Sequence, residues 1–479
     1  MKPLADGFRR VSPLTPLVRG FVVLVAAALA TWRDIIGGRL GFVALALGAV
    51  LLIGVGIGAA SWLLTKYRID TTELRIDTGI VNRQSRRVRL DRIQGVDIVQ
   101  PFVARLFRLA EIRVDTAGGD SEGKLAFLPL AEAEEVRRTL LQRRDAARAE
   151  RAADASDDAA DGSVAAVGAG PVDVPAVDEP EPQVLHRVPL GRLVAASLLS
   201  GEMVALVVGL AGVAVAMLLS GQVWAVLGVA GPAGGAVALV MFNRVSGNYG
   251  FTVAGTVSGL QVRRGLFDLN VQTLALHRVQ GVVVSEPWLW RRMGWARLDV
   301  SVAGAKVTLD SSDSSPTTLH PVGPREEIHW LARTVLGGLD PARVPLRPAP
   351  TAARWLAPLQ GRWLAVGADA SLVVSRHGLL TRRHHVAPHR RVQSVRITQN
   401  PLQRRLDLAT VHVDSPPGPV SVRALHRTGV DARSFADYEV ATSRWARSAA
   451  PAVPTPAATD LGSAHDRTSD PGAHSRPGP

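Results

Sequence analysis

Cysteine is absent from the 479 residues. That excludes disulfides, thiolate metal sites, a cysteine nucleophile and a lipidated cysteine anchor. Charge is thin: charged residues make up 20% of the chain and aromatics only 5%. Lysine is nearly missing, with Lys2, Lys66, Lys124 and Lys306 alone, so the net charge of +13 rests on arginine. A glycine-rich phosphate loop with lysine, a nucleophile elbow and an HExxH pair are all missing, so the commonest catalytic signatures are absent and no cofactor or metal is expected. The sequence pI of about 11.1 raises nucleic acid as a partner. The basic residues lie between long apolar runs, however, and a cationic domain on an anionic leaflet needs the same charge, so no nucleic-acid partner is expected.

Long apolar runs are what the chain has instead. Leu40 to Leu64 holds 25 residues without a charge, enough for a helix across a hydrocarbon core of about 30 Å. With Pro16 to Trp32 before it, this predicts a helical hairpin over 16–65. A rival is a signal peptide with Ala28-Leu29-Ala30 as cleavage site; the full span that follows at once argues against it. Met203 to Phe242 is 40 residues without a charge and predicts a second hairpin over 189–243, broken near Ser220-Gly221-Gln222. Glu202 stands at its start, either as an acid at headgroup level or as a residue on a transport path. Basic residues follow each hairpin (Lys66, Arg68, Arg75; Arg244), which places the soluble parts in the cytoplasm by the positive-inside rule. The expected location is the cytoplasmic membrane, multi-pass.

Two stretches read as disordered: an acidic linker over 144–186, with eight acids and no base between Ala152 and Val184, and a Pro/Ala/Ser/Gly tail over 449–479. Apart from them, one pattern recurs three times. Gly79, Gly265 and Gly378 each precede an arginine by 13 residues: Arg92-Ile93-Gln94-Gly95-Val96, Arg278-Val279-Gln280-Gly281-Val282 and Arg391-Val392-Gln393-Ser394-Val395. A proline and an arginine follow (Pro101 and Arg105; Pro287 and Arg291; Pro401 and Arg405). Alternation of period two, as in Leu298-Asp299-Val300-Ser301-Val302, marks antiparallel strands with one buried face. Acids at Glu134-Glu135 and Glu326-Glu327 open amphipathic helices, where the helix dipole favours them; a looser helix is expected over Ala432 to Arg447. The fold class is therefore α-helical membrane hairpins plus α+β soluble repeats.

The pattern of Gly-apolar, Arg-apolar-Gln-x-Val and Pro-x-x-x-Arg resembles the bacterial pleckstrin-homology-like (PH-like) domain. Three copies behind paired membrane helices resemble the YdbT group of membrane proteins, often found with a smaller YdbS-type companion. The resemblance implies an antiparallel β-barrel or sandwich capped by a C-terminal helix, no catalytic residues, self-association, and a role in envelope maintenance or resistance to membrane-active peptides. Boundaries are set at 66–143, 244–338 and 354–448. No membrane pair precedes the third copy; Arg354 to Val366, with Trp355 and Trp363, is too short to span and suits the membrane interface.

Candidate sites follow. Arg83, Arg86, Arg87 and Arg89, with Arg382, Arg383 and Arg390, are placed to meet anionic headgroups, or else form a solvated face. The repeated Arg92, Gln94, Arg278, Gln280, Arg391 and Gln393 suit a shared ligand site or, more often, a structural staple. His384, His385 and His389 read as an exposed basic loop and not as a metal site, because adjacent strand residues point to opposite faces. Trp288, Trp290 and Trp295 suit a contact loop, with core packing expected for at least one. The expected partners are membrane lipids, a second copy and a PH-like companion. Three readings compete: a non-enzymatic scaffold, a transporter or channel subunit with Glu202 on the path, and an enzyme that uses the His384, His385 and His389 cluster.

Overall fold

The structure, a computed structural model, describes residues 9–10, 48, 56, 66–70, 73–78, 84–116, 123–158, 183–221, 223–256, 259–303, 318–416 and 418–449. The expected first hairpin over 16–65, the centre of the acidic linker and the C-terminal tail lie outside these residues. The chain divides into two compact units, residues 1–179 with 267–273, and residues 180–266 with 274–479.

The first unit opens with an antiparallel sheet in the order β1 (Arg9–Arg10), β2 (Lys66–Ile69), β3 (Glu73–Thr78), β4 (Gln84–Arg89). Alternation works as the sequence predicts: Tyr67, Leu74, Ile76 and Val88 turn inward. β5 (Ile93–Gln100), α1 (Phe102–Leu106), β6 (Leu109–Thr116) and β7 (Gly123–Pro129) follow, with β5, β6 and β7 paired in that order. The register slips between Ile93 and Gly95, which makes Gln94 the bulged residue. Helix α2 (Leu130–Asp158) closes the core with Ala133, Val136 and Leu140 at helical spacing. It runs well into the stretch expected as linker. The later segment 267–273 completes this unit: Leu269, Asn270 and Val271 pair with Gln100, Val99 and Ile98. The Phe267 ring meets Phe102 edge-on at 5.2 Å.

The second unit begins with β8 (Gln183–Arg187). Helices α3 (Leu190–Leu198), α4 (Gly201–Leu219) and α5 (Val223–Gly247) precede β9 (Thr252–Thr256) and β10 (Gly259–Arg264). β9 pairs with both β8 and β10. The hairpin is thus an insertion between the first two strands of a domain, and this domain starts at Gln183, not at 244 as expected. After β11 (Leu269–Leu274), whose residues 269–273 belong to the first unit, β12 (Val279–Pro287), α6 (Trp288–Arg292), β13 (Trp295–Val302), β14 (Thr318–Pro324) and α7 (Arg325–Val335) complete it.

The third repeat has the same plan. β15 (Arg347–Pro348) pairs with β16 (Ala365–Ala368), and only 349–364, with the short α8 (Ala353–Leu356), fills the place of the hairpin. The repeat therefore starts at Arg347, before the expected 354. β17 (Leu372–His377), β18 (Thr381–Pro388), β19 (Ser394–Thr398), α9 (Pro401–Arg405), β20 (Leu408–Asp414), β21 (Val422–Thr428) and α10 (Gly429–Ser448) follow. Its early strands are complete, although their sequence pattern is weak.

One sheet spans the second and third repeats, in the order β14-β13-β12-β18-β17-β16-β15. β12 is buried on both faces. Val282 and Val284 enter a core with Phe251, Leu298 and Ile328, and Val283 enters the next core with Val373, Val413 and Val422. This is why 282–284 read Val-Val-Val without alternation. Gly281 is required there, since a Cβ would overlap the Val386 carbonyl oxygen of β18.

Candidate functional site at the root of the hairpin

Helix α4 is apolar, with a mean hydropathy of 2.4, and is the one described helix long and apolar enough to cross a membrane. Val207, Val208, Val215 and Leu219 are exposed along it, as are Leu239 and Phe242 of α5, the surface that a hydrocarbon solvent accepts. At its base the hairpin is tied into the second repeat. Leu193 and Ala196 of α3 enter the domain core, and buried Trp290 donates its indole N–H to the Ala196 carbonyl at 3.1 Å. Helices α4 and α5 close on each other there: Arg244, at the end of α5, donates to Ser200 Oγ at 2.6 Å and forms an ion pair with Glu202. Glu202 lies in the first turn of α4 with its side chain 83% exposed. It stands at the end of the helix, not at its middle.

Below this ion pair lies a groove of about 650 Å³. Arg244, Arg297, Arg383 and His385 line it, with the hydroxyls of Ser200 and Thr381. Two of the arginines are already neutralised: Arg244 by Glu202, and Arg297 by Asp299 at 2.9 Å. Arg383 is exposed and brings the excess positive charge. His385 accepts the Ser421 backbone N–H on Nδ1 at 3.0 Å, so its Nε2 carries the proton of the neutral ring. Burial, with His377 and Arg383 close by, pushes its pKa down to about 3. His384 falls to about 4, first through burial and then through Arg376 and Arg382.

The histidine cluster is therefore not the exposed basic loop that the sequence suggested. His389 is fully buried; its Nδ1 lies 2.8 Å from Glu439 Oε1 and its Nε2 2.9 Å from the Asp369 carbonyl. Burial opposes its protonation, but the hydrogen bond and charge of Glu439 outweigh that, together with Asp369, and its pKa is raised. No group of three metal-ligating side chains occurs among the described residues. The pair was legible in part: Ala432, Ala436, Glu439 and Ser443 share the inner face of α10, and a charge on that stripe needs a partner.

The remaining expected residues scatter. Arg382 stacks over Trp363, 4.6 Å from the ring centroid, with Arg362 at 4.9 Å. Arg390 is half-buried, Arg87 and Arg89 are exposed, Arg83 lies outside the described residues, and of Arg86 only the backbone in β4 is described. The repeated motif residues do not converge. Arg278 donates to the Ala303 carbonyl, Gln280 to the Arg278 carbonyl at 3.0 Å, and Arg391 to the His277 carbonyl. Arg92 and Gln393 are exposed, and the Gln94 side chain is outside the described set. They act as staples where described. The tryptophans do not form one contact loop: Trp290 is buried, Trp295 packs against the core, and only Trp288 is exposed.

Fold and site together define a membrane-associated protein made of repeated β domains. The Bacterial PH domain family matches residues 19–144, 194–354 and 344–440, and the chain belongs to that family. Over 103 residues it is 29% identical to the UPF0699 transmembrane protein YdbT of Bacillus subtilis (strain 168). That stretch is 21% of this chain and about a fifth of the relative's length. The chain is thus a membrane-associated bacterial PH-domain protein of YdbT type. No solved structure matches it.

Proposed function

We propose that the chain is a non-enzymatic scaffold of the cytoplasmic membrane, multi-pass with its PH-like domains in the cytoplasm, and that the groove at the hairpin root takes an anionic lipid headgroup. The observation that carries this reading is the groove itself. It sits where α4 begins and α5 ends, offers Arg383 without an acid partner among the described residues of the groove, and adds the Ser200 and Thr381 hydroxyls, which suit phosphate oxygens. The sealed His389–Glu439 pair supports the non-enzymatic part, because neither side chain is accessible to a substrate. Glu202, paired with Arg244 at the end of the span, supports anchoring over transport. Self-association and a PH-like companion belong to the same proposal. So does a role in envelope maintenance or resistance to membrane-active peptides.

The test is lipid retention. Full-length protein is exchanged from mixed phosphatidylcholine and phosphatidylglycerol into mild detergent, and the retained lipid is counted by native mass spectrometry. The wild type should keep phosphatidylglycerol in preference, and Arg383→Glu should erase the preference. Equal retention of both lipids by the wild type would refute the reading.

A further inference from the structure

Two strand joints of this protein share one register. In the first unit Val271, Asn270 and Leu269 stand opposite Ile98, Val99 and Gln100. In the second unit His384, Arg383 and Arg382 stand opposite Val284, Ser285 and Glu286. Counting from the repeated glycine for the incoming strand, and from the repeated glutamine for the receiving one, these are equivalent residues. The strand after the glycine turn therefore docks in the same way on the Arg-x-Gln strand of the preceding repeat. Two ends are left over among the described residues. β4 is a terminal strand of its sheet, and β19 is a terminal strand of the three-stranded sheet β19-β20-β21.

The two ends differ in kind. At β19 the residue matching Ile98 and Val284, which are 4% and 2% exposed, is Ile397, 43% exposed; no described strand covers it. Both occupied receiving strands have glycine directly after the bulged glutamine, Gly95 and Gly281, and at Gly281 the incoming backbone passes too close for a Cβ. β19 has Ser394 there, bonded to Asp414 Oδ2 at 3.0 Å. Where β12 has Val283, β19 has Arg396, which reaches Asp414 at 3.5 Å. A side chain at the close-approach position and a charge on the edge are how an edge strand resists pairing. β4 instead has the sequence of an incoming strand, Gln84-Ser85-Arg86-Arg87-Val88-Arg89. Laid on β19 of a second copy in the shared register, it would set Ser85 opposite Ile397, Arg87 opposite Val395 and Arg86 opposite Arg396. Like charges directly opposite one another disfavour that pairing.

We infer that the array is closed at β19 and open at β4, and that β4 docks on a PH-like domain of a different polypeptide. The receiving strand of that partner carries glycine at the position of Gly281 and an acidic or neutral residue opposite Arg86. A second copy is refused at the strand edges, since its β5 and β12 edges are occupied and its β19 edge is blocked by Ser394 and Arg396; self-association, where it occurs, uses other surfaces. This rests on the joints alone and stands whether or not the groove binds lipid.

The experiment uses the absence of cysteine. Full-length Ser85→Cys and Ile397→Cys proteins are co-reconstituted in liposomes, oxidised, and assayed for the mixed disulfide. Opposed strand residues bring their Cβ atoms within about 5 Å, close to disulfide range. With wild-type neighbours no mixed disulfide above background is expected. With the receiver changed by S394G/R396E it should rise about tenfold, the effect of removing one like-charge opposition and one overlap. Adding Arg86→Glu to the donor should abolish the gain. Because the carboxylate introduced by R396E would face Asp414, S394G/R396V, which copies residues 281 and 283 of β12, serves as a second receiver; it should also gain cross-linking. Efficient cross-linking of the unmodified pair would overturn the exclusion of a second copy. Its absence with both receivers would overturn β4 as a docking strand.

Discussion

Glu439→Gln should remove one limb of this protein's pH-dependent stability. His389 Nε2 faces a carbonyl, which only accepts, so that nitrogen carries a hydrogen. Nδ1 lies 2.8 Å from a carboxylate oxygen, also an acceptor. A second proton must therefore lie between ring and carboxylate, in a pair that has no exposed surface. The folded state thus holds a proton that the unfolded state gives up near pH 6.5. With the folded pKa raised, the pair's contribution is complete below about pH 6.5 and is lost as pH rises through the folded pKa, at up to about 1.4 kcal/mol per pH unit. A glutamine at 439 can donate its amide N–H to Nδ1 of the neutral ring, so it keeps the hydrogen bond and releases the proton. Glu439→Gln should then be flat or rising in stability above about pH 6.5, where the wild type falls until the folded pKa is passed. Glu439→Ala leaves Nδ1 without a partner and opens a cavity, at about 3–5 kcal/mol; loss of the proton by the ring moves the cost to the lower end. Hydrogen exchange of peptides from α10 and from residues 389–391, read by mass spectrometry on the full chain in nanodiscs, measures this. Parallel pH profiles for wild type and Glu439→Gln would refute the proton assignment.

The opposite limb belongs to His385 and to His320, a buried residue of β14, whose pKa values burial lowers to about 3. Each stabilises the fold fully above about pH 6.5 and costs about 2 kcal/mol by pH 5, so thermal melts in nanodiscs should show acid destabilisation that His385→Asn reduces. Gly281→Ala should open the β12–β18 joint, because the added methyl meets backbone and not a flexible side chain; limited proteolysis should then cut between the second and third repeats before it cuts within either. Trp290→Ala should cost about 3–5 kcal/mol and loosen the hairpin root, read as faster exchange in α3, while Trp288→Ala, at an exposed position, should leave exchange unchanged. Phosphatidylglycerol retention in Arg382→Glu should follow the wild type, since that side chain stacks on Trp363 outside the groove.

Local order was legible in the sequence because it is written at short range. The spacing from Gly79, Gly265 and Gly378 to the paired motifs, the period-two strands and the charge-free run that contains α4 each report on neighbours a few residues away, and the repeat made three domains of one plan visible. The short strands β8 and β15 were not legible: five and two residues beside Pro-rich stretches hold no readable period, and only pairing across an inserted hairpin or loop makes them strands. The joints were equally hidden, since a sequence shows which face of a strand is apolar but not what lies on its edge; Val282-Val283-Val284 was the one trace. Tertiary structure alone turned His389 inward onto Glu439, set Trp290 under the hairpin, and brought Arg383 beside Arg244 and Arg297. Those contacts join residues far apart in the chain, and their energy comes from excluding water around groups that the chain order keeps distant from one another.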